Sequence, residues 1–502
     1  TTTCSPVWNY FTVDPVYENK AVCKVCNIRV SRGGTNKRSQ KLHQVIGEMI
    51  AVDCMPFYTV QRPGFLRLMT EIEPRYTPCS RNYLSQSLIP SMFQNIKECI
   101  AKLVEKDSLT TDIWSSDSLD SYLSFTDTWN ITDKLHLVLR DSGSNFVAGF
   151  RNADILSCAC FAHTLQLTVK DGIFPQRTVE IMLSTSRKIV GHFKHSNVSL
   201  YALSSVQSKL ELCQHRPVQD EPTRWNSSYY ILQWFMEQKQ AILAVSTEIS
   251  LPTELTNAQW QLMGKVLQVL KPFEEATKEA SFKGASLAIV IPLVNALYQK
   301  LQLNDEDDDG IKTMKRQLLQ SLSSRFSDTE LSRHYVLATI LDPRYKHRCF
   351  LTVSKATAAS EMLTEECLNY ANCSKVSSEP SLPKRPQVND MDNSLLSTVV
   401  TMMASDEEST LSQEESQVDT FGTSYLKEPN LPLYTPNNER NNPLQYWKDN
   451  EKSKNILIVL ARKYLSAPAG SVASERLFST AALIADDRRN RLLPEKVEML
   501  LF

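Results

Sequence analysis

Two short stretches decide how this chain is read: Leu109-Thr110-Thr111-Asp112-Ile113-Trp114 and Leu135-His136-Leu137-Val138-Leu139-Arg140-Asp141-Ser142-Gly143. Each is a β-rich run that leads to an aspartate. Together with Tyr122-Leu123-Ser124-Phe125-Thr126 they predict a small sheet at residues 108–177, the one place where the period switches from helix to strand. Outward from this sheet the chain is helical. Val45, Ile46, Met49 and Ile50, then Met92, Phe93, Ile96, Ile100 and Leu103, follow helical spacing and mark a helical linker domain at 43–107. Helical periodicity resumes over 178–373. There Thr256 is a candidate N-cap, and Pro272 is expected to end or kink the helix that follows it.

Residues 374–442 read as a disordered acidic, Ser-rich linker, with ten Asp/Glu against four Lys/Arg from 374 to 430. A last helical unit, 443–502, is too short to bury much core alone, so its apolar faces must dock elsewhere. The whole chain has 502 residues, 42% hydrophobic and 22% charged, and a formal charge of −1. Nucleic-acid binding therefore needs a local basic patch. Only 13 glycines argue against a glycine-built phosphate cradle. No run of about 18 apolar residues is present to span a membrane. The first residues show no secretory pattern and no initiator Met, and twelve scattered cysteines read as thiols of a reducing compartment.

The most chemically specific local feature is Cys23-Lys24-Val25-Cys26. Two thiolates at this spacing can grip one tetrahedral Zn²⁺ on a tight knuckle. Seven basic residues and no acidic one lie between Lys20 and Lys41. Arg29, Arg32, Lys37 and Arg38 among them are the candidate phosphate contacts. Val7-Trp8-Asn9-Tyr10-Phe11, the cysteine pair and Ser31-Arg32-Gly33-Gly34-Thr35 together resemble the BED-type zinc finger. That family completes its metal site with two histidines. Here His43 is the one nearby histidine, with no second at ligand spacing, so residues 1–42 read as a truncated finger with an incomplete zinc site.

Asp112, Asp141 and Glu475 are three carboxylates at strand and helix ends. Such a trio can hold two divalent metals for phosphodiester chemistry. Taken singly, an Asp at a strand end is also a common turn former, and a Glu in the first turn of a helix complements the dipole. Cys160 and His163 read as a helix-packing pair ahead of a ligand pair.

The wider pattern resembles the hAT transposase superfamily and its domesticated BED-finger relatives. The residues that carry it are Asp112-Ile113-Trp114, Arg140-Asp141-Ser142-Gly143, Cys160-Phe161-Ala162-His163, Thr223-Arg224-Trp225-Asn226 and Leu341-Asp342-Pro343-Arg344-Tyr345-Lys346. The run from Pro443 through Ser474-Glu475-Arg476-Leu477-Phe478 to Pro494 completes it. The resemblance implies an α/β plus all-α chain: an RNase H-like mixed sheet interrupted by a helical insertion, with C-terminal dimerisation helices. It implies that Asp112, Asp141 and Glu475 are the ancestral catalytic acids, served by Mg²⁺ or Mn²⁺ where active, and that Trp225 stacks on double-stranded DNA. It also implies a homodimer or higher homo-oligomer, for which Trp447, Ile456, Leu460, Leu477 and Phe478 are the candidate contacts. Only 28 residues separate the two aspartates, against roughly 40 for two further strands and a helix. The sheet is therefore expected to lack a strand and a helix. The resulting expectation is a nuclear, DNA-binding, dimerising regulator of transcription or chromatin without transposition activity. The alternatives are an active transposase and a truncated form that only dimerises.

Overall fold

The computed structural model describes residues 10–13, 20–31, 37–74, 76–103, 107–110, 113–115, 121–123, 135–221, 224–373, 394–405, 423–450, 455–472, 496 and 499–500. The chain divides into two compact units. One comprises Thr1–Glu105, Ile113–Tyr122 and Glu475–Phe502, and the other Lys106–Asp112 and Leu123–Ser474.

The first unit opens with an antiparallel meander of β1 (Phe11–Val13), β2 (Lys20–Cys23) and β3 (Arg29–Ser31). Helix α1 (Lys37–Val52) follows, then α2 (Pro63–Ile72), α3 (Arg81–Tyr83) and α4 (Ile89–Leu103). Ile46 and Ile50 lie one helical turn apart and are buried with Val60, Leu84, Leu88 and Ile89. Gly47 permits the close approach of α1 to this layer. A Cβ there would sit 3.0 Å from Met92 Sδ and 3.3 Å from Leu88 Cδ2. Leu500, from the far end of the chain, joins the same core. The expected C-terminal unit 443–502 is thus shared between two cores.

The second unit holds the sheet. Strands β4 (Asp107–Thr110), β7 (Leu135–Arg140) and β8 (Ser157–Ala159) lie side by side with β7 central, and both pairings are parallel. Between them in sequence, β5 (Ile113–Ser115) and β6 (Ser121–Leu123) pair with each other. Among the described residues the main sheet is wholly parallel, and the two short strands form a ribbon of their own. At Leu137, Val138 and Leu139 strand β7 is buried on both faces, which explains three apolar residues in a row. Leu137 and Leu139 belong to the large core of the unit, whereas Val138 packs with Phe150 of α5 (Ser144–Asn152).

After β8 the chain is helical: α6 (Phe161–Gly172), α7 (Arg177–His195), α8 (Asn197–Lys209), α9 (Trp225–Glu237), α10 (Lys239–Glu248), α11 (Asn257–Ala280) and α12 (Val290–Lys300). Then come α13 (Asp309–Phe326), α14 (Arg333–Leu341), α15 (Val353–Cys373), α16 (Leu395–Ser405), α17 (Thr423–Lys427), α18 (Pro443–Asp449) and α19 (Asn455–Leu465). Helix α11 is the hub, packing on α6, α7, α9, α12 and α13. Thr256 caps it, as the sequence leads one to expect, and Gln259 completes a full capping box. Pro272 does not end it. The helix continues to Ala280 because Val269, Leu270, Phe273 and Ala276, on both sides of the proline, are buried in the core, and that burial outweighs one lost backbone bond.

Within the expected 374–442 linker, the described residues 394–405 and 423–442 are packed rather than loose. Leu395, Val399 and Met402 of α16 are buried, as is Tyr425 of α17, and α16 packs on α11 and α12. The acidic composition hid short apolar faces that find a ready-made surface.

Candidate functional site

The finger meander presents its cysteines on a knuckle. Cys23 ends β2, and its carbonyl accepts from Asn27 N at 2.9 Å, while its own N–H donates to the Ile28 carbonyl at 3.0 Å. Asn27 closes the turn in the left-handed region (φ 53°), which an Asn tolerates. The backbone N–H of Cys26, then that of Val25, then the Cys26 thiol hold the Cys23 thiol below its ordinary range. Inward-turned N–H groups that favour a thiolate are what a cysteine-bound cation needs. The nearest histidine in sequence is turned to other work. His43 lies in α1 with its ring 5.3 Å from that of Tyr76 and 5.7 Å from that of Tyr83. Among the described residues no group of three ligating side chains includes Cys23 and Cys26. Among the described residues Cys23 and Cys26 thus supply two of the four ligands a structural zinc takes.

Of the candidate phosphate contacts, Arg29 is exposed on β3, and Arg38 on α1 is 2.6 Å from the Glu73 carboxylate. Arg32 and the side chain of Lys37 lie outside the described residues.

Asp141 stands just past the end of β7, half-buried, with Oδ1 accepting from Gly143 N at 2.9 Å. This is the turn-forming bond that its position suggested. The register pairs Thr110 of β4 with Leu139 of β7. Asp112 and Asp141 each follow their strand's paired residue by two positions in sequence. Asp112 and Glu475 themselves lie outside the described residues.

Cys160 ties this edge together. Its N–H donates to the Arg140 carbonyl at 2.7 Å, and its buried Sγ accepts from Ser471 N at 3.3 Å. The neighbouring Phe161 N–H donates to the Ala469 carbonyl at 3.1 Å. Gly470 suits this close approach, since a Cβ would meet Cys160 Sγ at a tight 3.3 Å. The residue before Asp141 and the segment shortly before Glu475 in sequence are therefore fastened to one cysteine. The packing role read for Cys160 in the sequence is correct in kind, but its C-terminal partner is 311 residues away and carried no local signal.

Two aromatic expectations are corrected. Trp225 is only 3% exposed, packed at 6.2 Å against Tyr229 inside the helical core. In this fold it has no free face for a base. Trp447 is 1% exposed, and its Nε1 donates to the Leu341 carbonyl at 2.9 Å. Ile456 and Leu460 of α19 are buried in the same core. These three side chains satisfy the apolar demand of their helices within the chain, so they are not an open dimer surface. Leu477 and Phe478 lie outside the described residues.

The run Leu341-Asp342-Pro343-Arg344-Tyr345-Lys346, singled out above without a role, has one in the structure. Arg344 pairs bidentately with buried Asp342, at 2.9 Å through Nε and 2.7 Å through Nη2. The Pro343 carbonyl accepts from Leu431 N at 2.8 Å, and Asn430 Nδ2 donates to the Arg344 carbonyl at 3.0 Å. Lys346 is fully buried and donates to the carbonyls of Tyr425 at 2.7 Å and Glu428 at 2.8 Å. The motif is a clasp that holds residues 425–431 against the helical bundle.

Comparison with known proteins agrees with this layout. Residues 5–39 match the BED zinc finger, 158–269 the ZBED1 RNase-like helical domain, and 421–502 the hAT family C-terminal dimerisation region. The chain is 30% identical to zinc finger BED domain-containing protein 4 of Homo sapiens, over 92% of this chain and 43% of that protein. It is 26% identical to zinc finger BED domain-containing protein 6 of Mus musculus, over 93% and 55%. It is 23% identical to the putative AC transposase of Zea mays, over 89% and 62%. The chain spans about half the length of the curated relatives it matches. The finger match implies zinc binding, and the dimerisation-region match implies oligomerisation. No helix among the described residues is long and apolar enough to cross a membrane.

Proposed function

Taking the chain as a hAT-derived BED-type protein, we propose that it is a nuclear, DNA-binding and self-associating regulator of transcription or chromatin, descended from a transposase and no longer transposing. The observation that carries this reading is the order of parts in one chain: finger, helical domain, dimerisation region. The packing of Trp225 supports the loss of transposition, because a tryptophan filling a core cannot also hold an extruded base. Double-stranded DNA would be met by the basic stretch around Arg29 and Arg38, with Zn²⁺ at Cys23 and Cys26. The test is retention of DNA by the full chain across a salt series, with and without Cys23→Ser/Cys26→Ser. Salt-sensitive retention weakened by the double substitution is expected. Retention indifferent to it removes the finger from the proposal.

Self-association would use the outer surface of the 421–502 region. Light scattering reads it directly, and a monomer mass at micromolar concentration sinks it.

A second reading, an active transposase using Mg²⁺ or Mn²⁺ on Asp112, Asp141 and Glu475, draws support from the parallel β4–β7 pairing and from the Cys160 link to Ser471. It requires metal-dependent nicking of terminal repeats that Asp141→Asn abolishes. Absence of nicking by the unmodified chain rejects it.

A further inference from the structure

Away from the finger and the acidic strand ends, the connection from α8 to α9 and the C-terminal end of α9 bring together another set of metal-ligating side chains. Cys213, His215 and Glu237 each offer one ligand atom, and these atoms lie within 4.8 Å of one another. Among the described residues it is the one group of three that does so. His215 Nδ1 and Glu237 Oε1 are 2.7 Å apart, and all three side chains are exposed to an incoming ion.

The backbone beneath them is fixed by buried amides. Gln207 and Gln238 are 2% and 0% exposed and bond to each other at 2.9 Å. Gln207 Nε2 and Trp234 Nε1 both donate to the His215 carbonyl at 3.2 Å. Gln238 Nε2 donates to the Cys213 carbonyl at 3.0 Å and to Glu237 Oε1 at 3.2 Å. One side chain, Gln238, thereby positions both a ligand's backbone and another ligand's carboxylate. This is the outer-layer support that orients ligands in metal sites. Burying two primary amides under an exposed loop is costly unless their bonds are satisfied, and here they are spent on holding these residues in place.

We propose that Cys213, His215 and Glu237 form a site for a Zn²⁺-type divalent cation. Thiolate, imidazole and carboxylate are the donor types zinc takes, and three protein ligands leave a fourth position for water or an external donor. Bonds of about 2.0–2.3 Å in tetrahedral geometry set donors roughly 3.3–3.7 Å apart. The His215–Glu237 pair must open slightly and, since all three atoms lie within 4.8 Å of one another, no pair must close by more than about 1 Å, a rotamer adjustment open to exposed side chains. With Nδ1 on the metal, the imidazole proton moves to Nε2, and the Cys213 thiol proton is released to solvent. Affinity therefore rises with pH. The bound ion would staple the α8–α9 connection to the C-terminal end of α9.

Co²⁺ is the probe, added to the full chain carrying Cys23→Ser/Cys26→Ser so that the finger is silent. The expected result is one cobalt per chain with visible d–d bands and a thiolate-to-cobalt charge-transfer band, both removed by added Zn²⁺. Cys213→Ser should abolish the charge-transfer band, and His215→Ala or Glu237→Gln should weaken binding by about tenfold or more. Because the three side chains are exposed, far-ultraviolet circular dichroism of each variant should match that of its parent. No charge-transfer band in the parent, or a band unchanged by Cys213→Ser, overturns the proposal.

Discussion

Lys346 Nζ donates to the backbone carbonyl of Tyr425 at 2.7 Å while lying 4.4 Å from the centre of the same residue's ring. A fully buried ammonium is tolerable only when its protons are taken up, and here carbonyls and an aromatic face surround it. Lys346 also has a left-handed backbone (φ 51°), so the turn that presents it carries some cost of its own. The bond joins the end of the helical insertion to the start of the dimerisation-region match.

Lys346→Ala should release that clasp. Truncation leaves the Tyr425 and Glu428 carbonyls without this donor and opens a void, a loss of about 2–4 kcal/mol. Limited proteolysis is the check, with faster cleavage within 423–433 expected and the finger unit cut at an unchanged rate.

Trp447→Ala should destabilise the second unit by about 3–5 kcal/mol, the usual cost of removing a core tryptophan, rather than give a well-folded monomer. Thermal unfolding together with light scattering separates the two outcomes. An unshifted melting temperature with halved mass would restore Trp447 as an interface residue.

Acid should weaken the second unit in two steps. Burial, then the charge of Lys463, then His334, push the His136 imidazole down to about 4. A group whose folded value is depressed contributes stability above its unfolded value, near 6.5, and loses it as pH falls towards about 4. Glu366 is opposed by its burial, but bonds from Arg333, Tyr464 and Lys463 bring it down to about 2. Its contribution is complete above its unfolded value of 4.5 and disappears as pH falls through about 2. His136 Nε2 has no hydrogen-bond partner among the described residues, so His136→Phe should shrink the upper step at little cost at pH 7, leaving the share of His334 and His347, which burial also pushes down. Denaturant midpoints from pH 7 to pH 3 for both proteins give the answer.

Trp225→Phe should leave DNA retention unchanged within about twofold, because the side chain serves the core. Arg29→Ala should reduce the salt dependence of retention by roughly one phosphate contact. A tenfold loss from Trp225→Phe at preserved stability would return this residue to the DNA surface.

Much of the local architecture was legible. Cys23-Lys24-Val25-Cys26 announced a knuckle because two thiols at that spacing need a tight turn, and Thr256 announced a helix start, to which the structure adds Gln259. Leu135 to Leu139 announced a strand. What was not legible came from distant partners. The burial of Trp225 and Trp447 could not be read, since an aromatic in a motif looks the same whether it meets a base, a second subunit or its own core. The clasp at Asp342–Lys346 was visible as a pattern but silent about its job, because its acceptors are backbone carbonyls, which every residue carries. Cys213, His215 and Glu237 are separated by 21 residues between the last two, a spacing with no local meaning until α9 folds back beside the loop.

By itself, then, the order of side chains determined the local conformations and which faces must leave water. It did so because turn chemistry, capping and periodicity act over a few residues. The tertiary structure alone decided what covers each apolar face and which polar groups meet: Ser471 on Cys160, Tyr425 on Lys346, Leu500 on the core of α1. Hydrophobic burial is non-directional, so it fixes that a surface is buried without fixing by what. Close packing and hydrogen-bond geometry make that choice only once the chain has closed on itself.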